Sequence, residues 1–172
     1  MKHVLKTLAV STALAGAFVA TPSFAVAPPS QAWYGGISGD LTWMGDSDTG
    51  GGGNADIGYR FKNLRAEGEV GYHDASGGGD SEHYWSYMGN LYYDFTNMYS
   101  GNGWGVAPYI GAGIGDAEIH SDSEFAYQGM IGLGFTSAST PNATYRLGYR
   151  YFGADDHDPH ASNLELGANF AF

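Results

Sequence analysis

Apolar and polar residues alternate along most of this chain, and the alternation recurs in eight runs of about ten residues. Strict period-two alternation predicts strands whose two faces meet different environments. The first run, Trp33 to Met44, sets Trp33, Gly35, Ile37, Gly39, Leu41 and Trp43 against Tyr34, Gly36, Ser38, Asp40 and Thr42. In the second, Ala55 to Phe61, the residues Ala55, Ile57, Tyr59 and Phe61 oppose Asp56, Gly58 and Arg60. The third, Leu64 to Tyr72, groups Leu64, Ala66, Gly68, Val70 and Tyr72 against Arg65, Glu67, Glu69 and Gly71. The remaining runs are Trp85 to Phe95, Val106 to Ile114, Phe125 to Phe135, Ala143 to Tyr151 and Asn163 to Phe172. Short connections follow the even runs: Lys62-Asn63, Thr96 to Gly103 and Ser137 to Asn142. Longer acidic stretches follow the odd runs, among them Gly45 to Gly53 and Asp74 to Glu82, and they carry His73, His83, His120, His157 and His160.

Two further features say where such strands can fold. Lys2 and Lys6 precede Leu8 to Ala20, an apolar stretch too short to cross a bilayer as a helix, and small residues then mark cleavage after Ala25 or after Ala27. Residues 1–25 are therefore expected to be a signal peptide and residues 26–172 one domain, with no Pro/Gly linker dividing it. The chain has no cysteine, so a disulfide framework and thiolate chemistry are excluded. No later segment has the apolar length of a membrane helix. If the chain enters a membrane, it must do so as a closed barrel, because only helices and barrels satisfy every backbone hydrogen bond in hydrocarbon.

Charge decides which face points outward. Past the leader, the basic residues are Lys62 and the four arginines Arg60, Arg65, Arg146 and Arg150, against all 18 acidic residues. So acidic a protein repels phosphate backbones, which argues against nucleic acid as a partner. A soluble barrel wets its outer face and covers it with lysine and glutamate, whereas here the polar face of the strands carries arginine and no lysine. Turning those arginines to lipid would cost roughly 2–4 kcal/mol each near the midplane; facing inward, they can pair. The expected lumen network is Arg60, Arg65, Glu67, Glu69, Arg146, Arg150 and Glu165. If the last loop is centred near His157-Asp158, Arg150 faces Glu165 and Arg146 faces Asn169. Arg60 and Arg65 are neighbours across the Lys62-Asn63 turn and need Glu67 and Glu69 close by, since like charges directly opposed are unfavourable. Aromatics sort with this reading. Trp33, Tyr59, Phe61, Tyr93, Phe95, Phe135, Tyr145, Phe170 and Phe172 fall at the turn ends of their strands, and Trp43, Tyr72, Trp85, Tyr87, Tyr127, Tyr149 and Tyr151 at the loop ends. Two aromatic bands separated by aliphatics are what the two bilayer interfaces select. The expected fold is an all-β, eight-stranded antiparallel up-and-down transmembrane barrel in the cell outer membrane, with both ends of the processed chain in the periplasm and the longer loops outside.

The segments Gly58-Tyr59-Arg60-Phe61, Tyr92-Tyr93-Asp94-Phe95, Pro108 to Gly115 and Gly148-Tyr149-Arg150-Tyr151-Phe152 resemble the opacity-type outer-membrane β-barrel family, whose relatives include bacterial surface antigens and the membrane domain of OmpA. The resemblance spans nearly all of the processed chain. It implies that the final strand, with Phe170 and Phe172, is the signal read by the barrel-assembly machinery, and that no cofactor is needed. It also implies partners in outer-membrane lipid and lipopolysaccharide, and host or surface molecules met by the loops. No peptidoglycan-binding role is expected from the resemblance to OmpA, whose membrane domain alone is matched.

The same residues bear on other chemistries. Lipid A deacylases are similar in size, but their strand-borne His-x-Ser-Asn motif is missing, and the comparable end of the seventh run reads Arg150-Tyr151-Phe152-Gly153. Ser162-Asn163 has His160 nearby, yet in a loop without a third member to orient the base. A narrow porin-like channel is the other alternative. An eight-stranded lumen can be filled by side chains, and Tyr34, Tyr92, Tyr109, Met130 and the arginine–carboxylate set are bulky enough to do it. His157, Asp158 and His160 offer metal ligands but match no closed-site spacing. Gly50 to Gly53 and Gly77 to Gly79 lack the residues of a phosphate-binding loop and read as loop tips. The expected role is a structural or surface-interacting membrane protein, not an enzyme.

Overall fold

The computed structural model describes residues 31–44, 48–77, 80–95, 99–101, 103–119, 122–154 and 161–172. They form β1 (Gln31–Met44), β2 (Asp48–Phe61), β3 (Leu64–Gly77), β4 (Asp80–Asp94), β5 (Tyr99–Gly101), β6 (Trp104–Ile119), β7 (Asp122–Ser137), β8 (Thr140–Ala154) and β9 (Ala161–Ala171). Eight long strands pair antiparallel with their neighbours. The ring closes because β1 pairs with β9 and β4 pairs with β6. Closure leaves no long strand with an unpaired edge, which is what hydrocarbon demands. The short strand β5 folds back on the start of β6 at the turn end of the barrel, so the stretch Thr96 to Gly103, expected to be a plain turn, contains a small hairpin.

The strands run further than the hydropathy pattern. β2 begins at Asp48, and Gly50 to Gly53 lie in the sheet between Thr42–Gly39 of β1 and Ala75–Tyr72 of β3. They are strand, not loop tip; Gly77 likewise ends β3, while residues 78–79 lie outside the described residues. The expected loop Asp74 to Glu82 is mostly the end of β3 and the beginning of β4. At the opposite end the Lys62-Asn63 turn is as tight as expected, with Lys62 at φ 57°. The register of β8 on β9 differs from expectation by two residues. Arg150 faces Asn163, Gly148 faces Glu165, and Arg146 faces Gly167. A shift of two preserves which face each side chain occupies, so alternation alone could not exclude it.

The two faces are sharply different. Ile37, Ile57, Leu91, Ile110, Ile114, Ile131 and Leu166 point outward and are more than half exposed. Around them Trp33, Tyr59, Phe61, Tyr93, Phe95 and Phe170 form an exposed aromatic ring at the turn end, and Trp43, Tyr72, Trp85, Tyr87, Phe125, Tyr127, Tyr149 and Tyr151 form another at the loop end. Trp33 packs edge-on to Tyr59 at 5.3 Å, and Tyr72 against Trp85 at 5.0 Å. The ten-residue step from Trp33 to Trp43, at about 3.3 Å per residue and a tilt of about 40°, covers roughly 25 Å along the barrel axis, the height of an apolar membrane band. The inner face is the reverse. Arg65, Glu67, Glu69, Asn90, Gln128, Arg146, Arg150, Asn163 and Glu165 are all buried. In water this would be an inside-out protein; in a bilayer both faces are satisfied.

Candidate functional site

The lumen is a ladder of charges climbing from the turn end. Arg60 and Arg65, direct partners across β2 and β3, both bind Asp94 of β4, with Arg65 Nε 2.9 Å from Asp94 Oδ2. Asp94 therefore separates two like charges that strand pairing forces together. Alternation already placed Asp94 on the inner face beside Tyr92, but it was not among the expected network members. Arg65 also pairs with Glu67, whose Oε1 accepts a 2.7 Å hydrogen bond from the Tyr34 hydroxyl. The Arg65 guanidinium lies 4.3 Å from the Tyr92 ring centroid and 5.6 Å from that of Tyr109.

One step deeper, Arg146 reaches Asp56 at 3.1 Å, Glu67 at 3.5 Å and Glu165 at 3.8 Å. Above it, Arg150 donates to both oxygens of Glu69, at 2.6 and 2.9 Å, and to Glu165 at 2.5 Å. Gln128 ties this tier across the barrel, donating to Asn90 at 2.7 Å and accepting from Arg150 at 3.3 Å. The structure thus brings all seven expected residues into one connected set, with two differences. Glu69 serves Arg150 rather than the Arg60–Arg65 pair, and Arg150 meets Glu165 diagonally, not as a facing partner. Asp56 and Asp94 complete the set. Buried pairs of this kind stabilise chiefly by not being broken. Removing one member strands a charge in low dielectric, which costs about 3–5 kcal/mol.

Tyrosines fill the cross-section where the ladder leaves room. Tyr34, Tyr92 and Tyr109 are buried, and Tyr109 occupies space made by glycine: a Cβ on Gly148 would stand 2.2 Å from its hydroxyl and one on Gly132 2.6 Å. At the turn end a cavity of about 10 Å³, room for roughly one water, remains beside Tyr34, Arg60, Thr144 and Asn169.

Toward the loop end the lumen changes character. His73, expected in a loop, is an inward residue of β3, with Nδ1 3.4 Å from Asp40 Oδ1. Thr42 donates to that same oxygen at 2.8 Å, and Asn54 to the other at 3.2 Å. His83 instead faces outward, 6.4 Å from the Tyr72 ring, so the barrel wall separates two histidines expected on one side of a shared loop region. The metal candidates His157, Asp158 and His160 lie outside the described residues, as does His120, and among the described residues no group of three or more His, Asp or Glu is placed to hold a metal. Ser162 and Asn163 belong to β9 rather than to a loop. The Ser162 hydroxyl is 2.8 Å from that of Tyr149 on the outer face, and Asn163 is buried in the lumen.

With this geometry in hand, residues 11–172 match the outer membrane protein beta-barrel domain. The chain belongs to that family. Its members' fold recurs in neisserial surface protein A, which has a TM-score of 0.65 and 20% identity and covers 81% of this chain and 97% of its own. The attachment invasion locus protein Ail of Yersinia pestis aligns at a TM-score of 0.47 and 16% identity over 85% of this chain and 100% of its own. The outer membrane enzyme PagL aligns at 0.49 and 15% over 80% and 99%. No curated protein sequence matches the chain. The family assigns an outer-membrane barrel; its shared fold does not by itself assign an activity.

Proposed function

We propose that this outer-membrane barrel is a non-conducting surface protein, a rigid membrane anchor that presents acidic loops to the outside. The observation that carries the reading is the filled lumen. Three arginines that are 2–3% exposed, Arg65, Arg146 and Arg150, are shared among buried carboxylates from three different strands, with the Tyr92 and Tyr109 rings beside Arg65. A hydrated ion crossing this lumen would have to break pairs that each cost several kcal/mol to break.

The distribution of charge supports the role of the loops. Apart from the lumen carboxylates, the acidic residues cluster toward the loop end, while Lys62 sits at a turn. Placed outside, that end faces lipopolysaccharide, with divalent ions as bridges, and cationic groups on host molecules. In this reading residues 1–25 are removed on export, and Phe170 and Phe172, both outward and exposed, are presented to the barrel-assembly machinery.

The test uses the purified, refolded barrel. Unboiled protein should migrate differently from boiled protein on a gel, and planar bilayers containing it should show no stepwise current. Overexpression should leave the mass of lipid A unchanged. Stepwise current would replace this reading with a narrow channel, and loss of an acyl chain from lipid A would replace it with an enzyme.

A further inference from the structure

Above the charged ladder, three rings cross the lumen. His73 of β3 stacks on Tyr84 of β4 at 4.9 Å and 18° between planes, and Tyr84 stacks on Phe152 of β8 at 5.5 Å and 24°. β3 and β8 are four strands apart in either direction round the closed ring, so the stack runs from one wall to the opposite one. The walls it meets are built small. Ala117 of β6, Ala126 of β7, Ala154 of β8 and Ala161 of β9 gather around Tyr84 and Phe152 and are 0–3% exposed. On the other side Gly52 makes room for the imidazole, since a Cβ there would stand 2.2 Å from His73 Nδ1. Large rings on three strands stand against alanines of β6, β7 and β9 and the glycine of β2, with Met88 of β4 in the same cluster.

Beneath the stack the lining turns polar at once. Asn54 Oδ1, Ser86 Oγ and His73 Nε2 all lie within 2.4–2.8 Å of the place a Gly71 Cβ would take. Ser86 and Asn54, on the turn side of the stack, are 2% and 5% exposed. The stack itself is tied differently from the ladder. The Tyr84 hydroxyl makes no hydrogen bond, so ring faces and alanine methyls hold Tyr84 and Phe152, with His73 at one end 3.4 Å from Asp40, whereas Arg150 is gripped by charge-assisted bonds. A stacked ring pair contributes less than it costs to open a buried ion pair.

We propose that the His73–Tyr84–Phe152 stack is a lid that closes the upper lumen against solutes from the loop side, and that it yields independently of the charged ladder below. The barrel then has two closures in series. Displacing the first exposes Asn54 and Ser86 without opening a path through the membrane.

The absence of cysteine makes the test direct. A single Ser86→Cys reporter is placed in the otherwise unchanged full chain and in a Phe152→Ala background. Each refolded barrel, verified by its unboiled gel mobility, is exposed to a charged, membrane-impermeant methanethiosulfonate reagent, and labelling is followed by mass. Labelling should be at least ten-fold faster with Phe152→Ala, and Phe152→Leu should keep the slow rate. Conductance should stay absent in all three. An Asn54→Cys reporter repeats the measurement should Ser86→Cys not fold. Equal rates with Phe152 and with alanine, whether fast or slow, would overturn the lid. Current through the Phe152→Ala barrel would overturn the independence of the two closures, whereas current through the unaltered barrel would count only against the non-conducting reading.

Discussion

Arg150→Met is the sharpest probe of what holds the barrel together. The substitution keeps a long, flexible side chain in the lumen but removes the guanidinium that binds Glu69 at 2.6 and 2.9 Å and Glu165 at 2.5 Å. Glu165 retains only the 3.8 Å contact with Arg146, and Glu69 keeps Gln128 at 3.3 Å. Two carboxylates are thus left buried with poor compensation, which places the cost at about 4–5 kcal/mol, the upper part of the range for breaking a buried pair. Arg60→Met is the contrast. Arg60 and Asp94 lie at the rim with side chains 12% and 15% exposed, and Asp94 keeps Arg65 at 2.9 Å, so the loss should be about 1 kcal/mol. The triple variant Arg150→Met, Glu69→Gln, Glu165→Gln removes both signs together and should recover most of the single-variant loss, because neutral groups of similar volume replace a buried ion network at little cost. Urea unfolding of the barrel from lipid vesicles, followed by fluorescence of its four tryptophans, measures all three. Arg150→Met and Arg60→Met agreeing within about 1 kcal/mol would refute the reasoning, as would a triple variant no more stable than the single one.

Two other perturbations probe the two faces. Ile131, outward and 59% exposed midway between Tyr127 and Phe135 on β7, should cost about 2–4 kcal/mol as Ile131→Arg and under about 1.5 kcal/mol as Ile131→Leu, measured by the same vesicle unfolding. Gly148→Ala drives a methyl against the Tyr109 hydroxyl and should cost about 1–3 kcal/mol. In a Tyr109→Phe background the nearest side-chain atom recedes from 2.2 to 3.3 Å, so at least half of that cost should vanish, a coupling read from the double-mutant cycle.

Strand number, pairing order and the direction of each face were all legible before any coordinates. Each follows from period-two alternation combined with one energetic fact, that guanidinium groups do not face hydrocarbon. What escaped is equally physical. Glycines 50 to 53 have no side chain with which to show a face, so strand looked like loop until β1 and β3 were seen to pair with them. The β8–β9 register slipped by two because a displacement of two leaves every residue on its own face. His73 reads as loop because the apolar run of the third strand ends at Tyr72. Extending the alternation one step puts His73 inward, beside Asp40 of β1. Asp94 was visible in the same way, as the inward neighbour of Tyr92, but its role required knowing that Arg60 and Arg65 both bend toward β4.

The charged interior also answers a question that stability alone leaves open. Replacing a buried ion network with packed apolar residues is often neutral or stabilising, so the ladder is not the strongest possible core. An eight-stranded barrel with an apolar lumen as well as an apolar exterior would consist of strands apolar on both faces. Such runs resemble buried or membrane-spanning segments, and they aggregate when exposed as unpaired strands. Alternation avoids this, because every lipid-facing Ile or Leu is flanked by residues that favour water. Arginine at Arg60, Arg65, Arg146 and Arg150, paired with carboxylates on neighbouring and facing strands, keeps the unfolded chain soluble. The same residues give the closed barrel a rigid filling once the strands register. A polar lumen suits strands that meet water before they meet lipid, and the pairing of its charges fills the closed barrel.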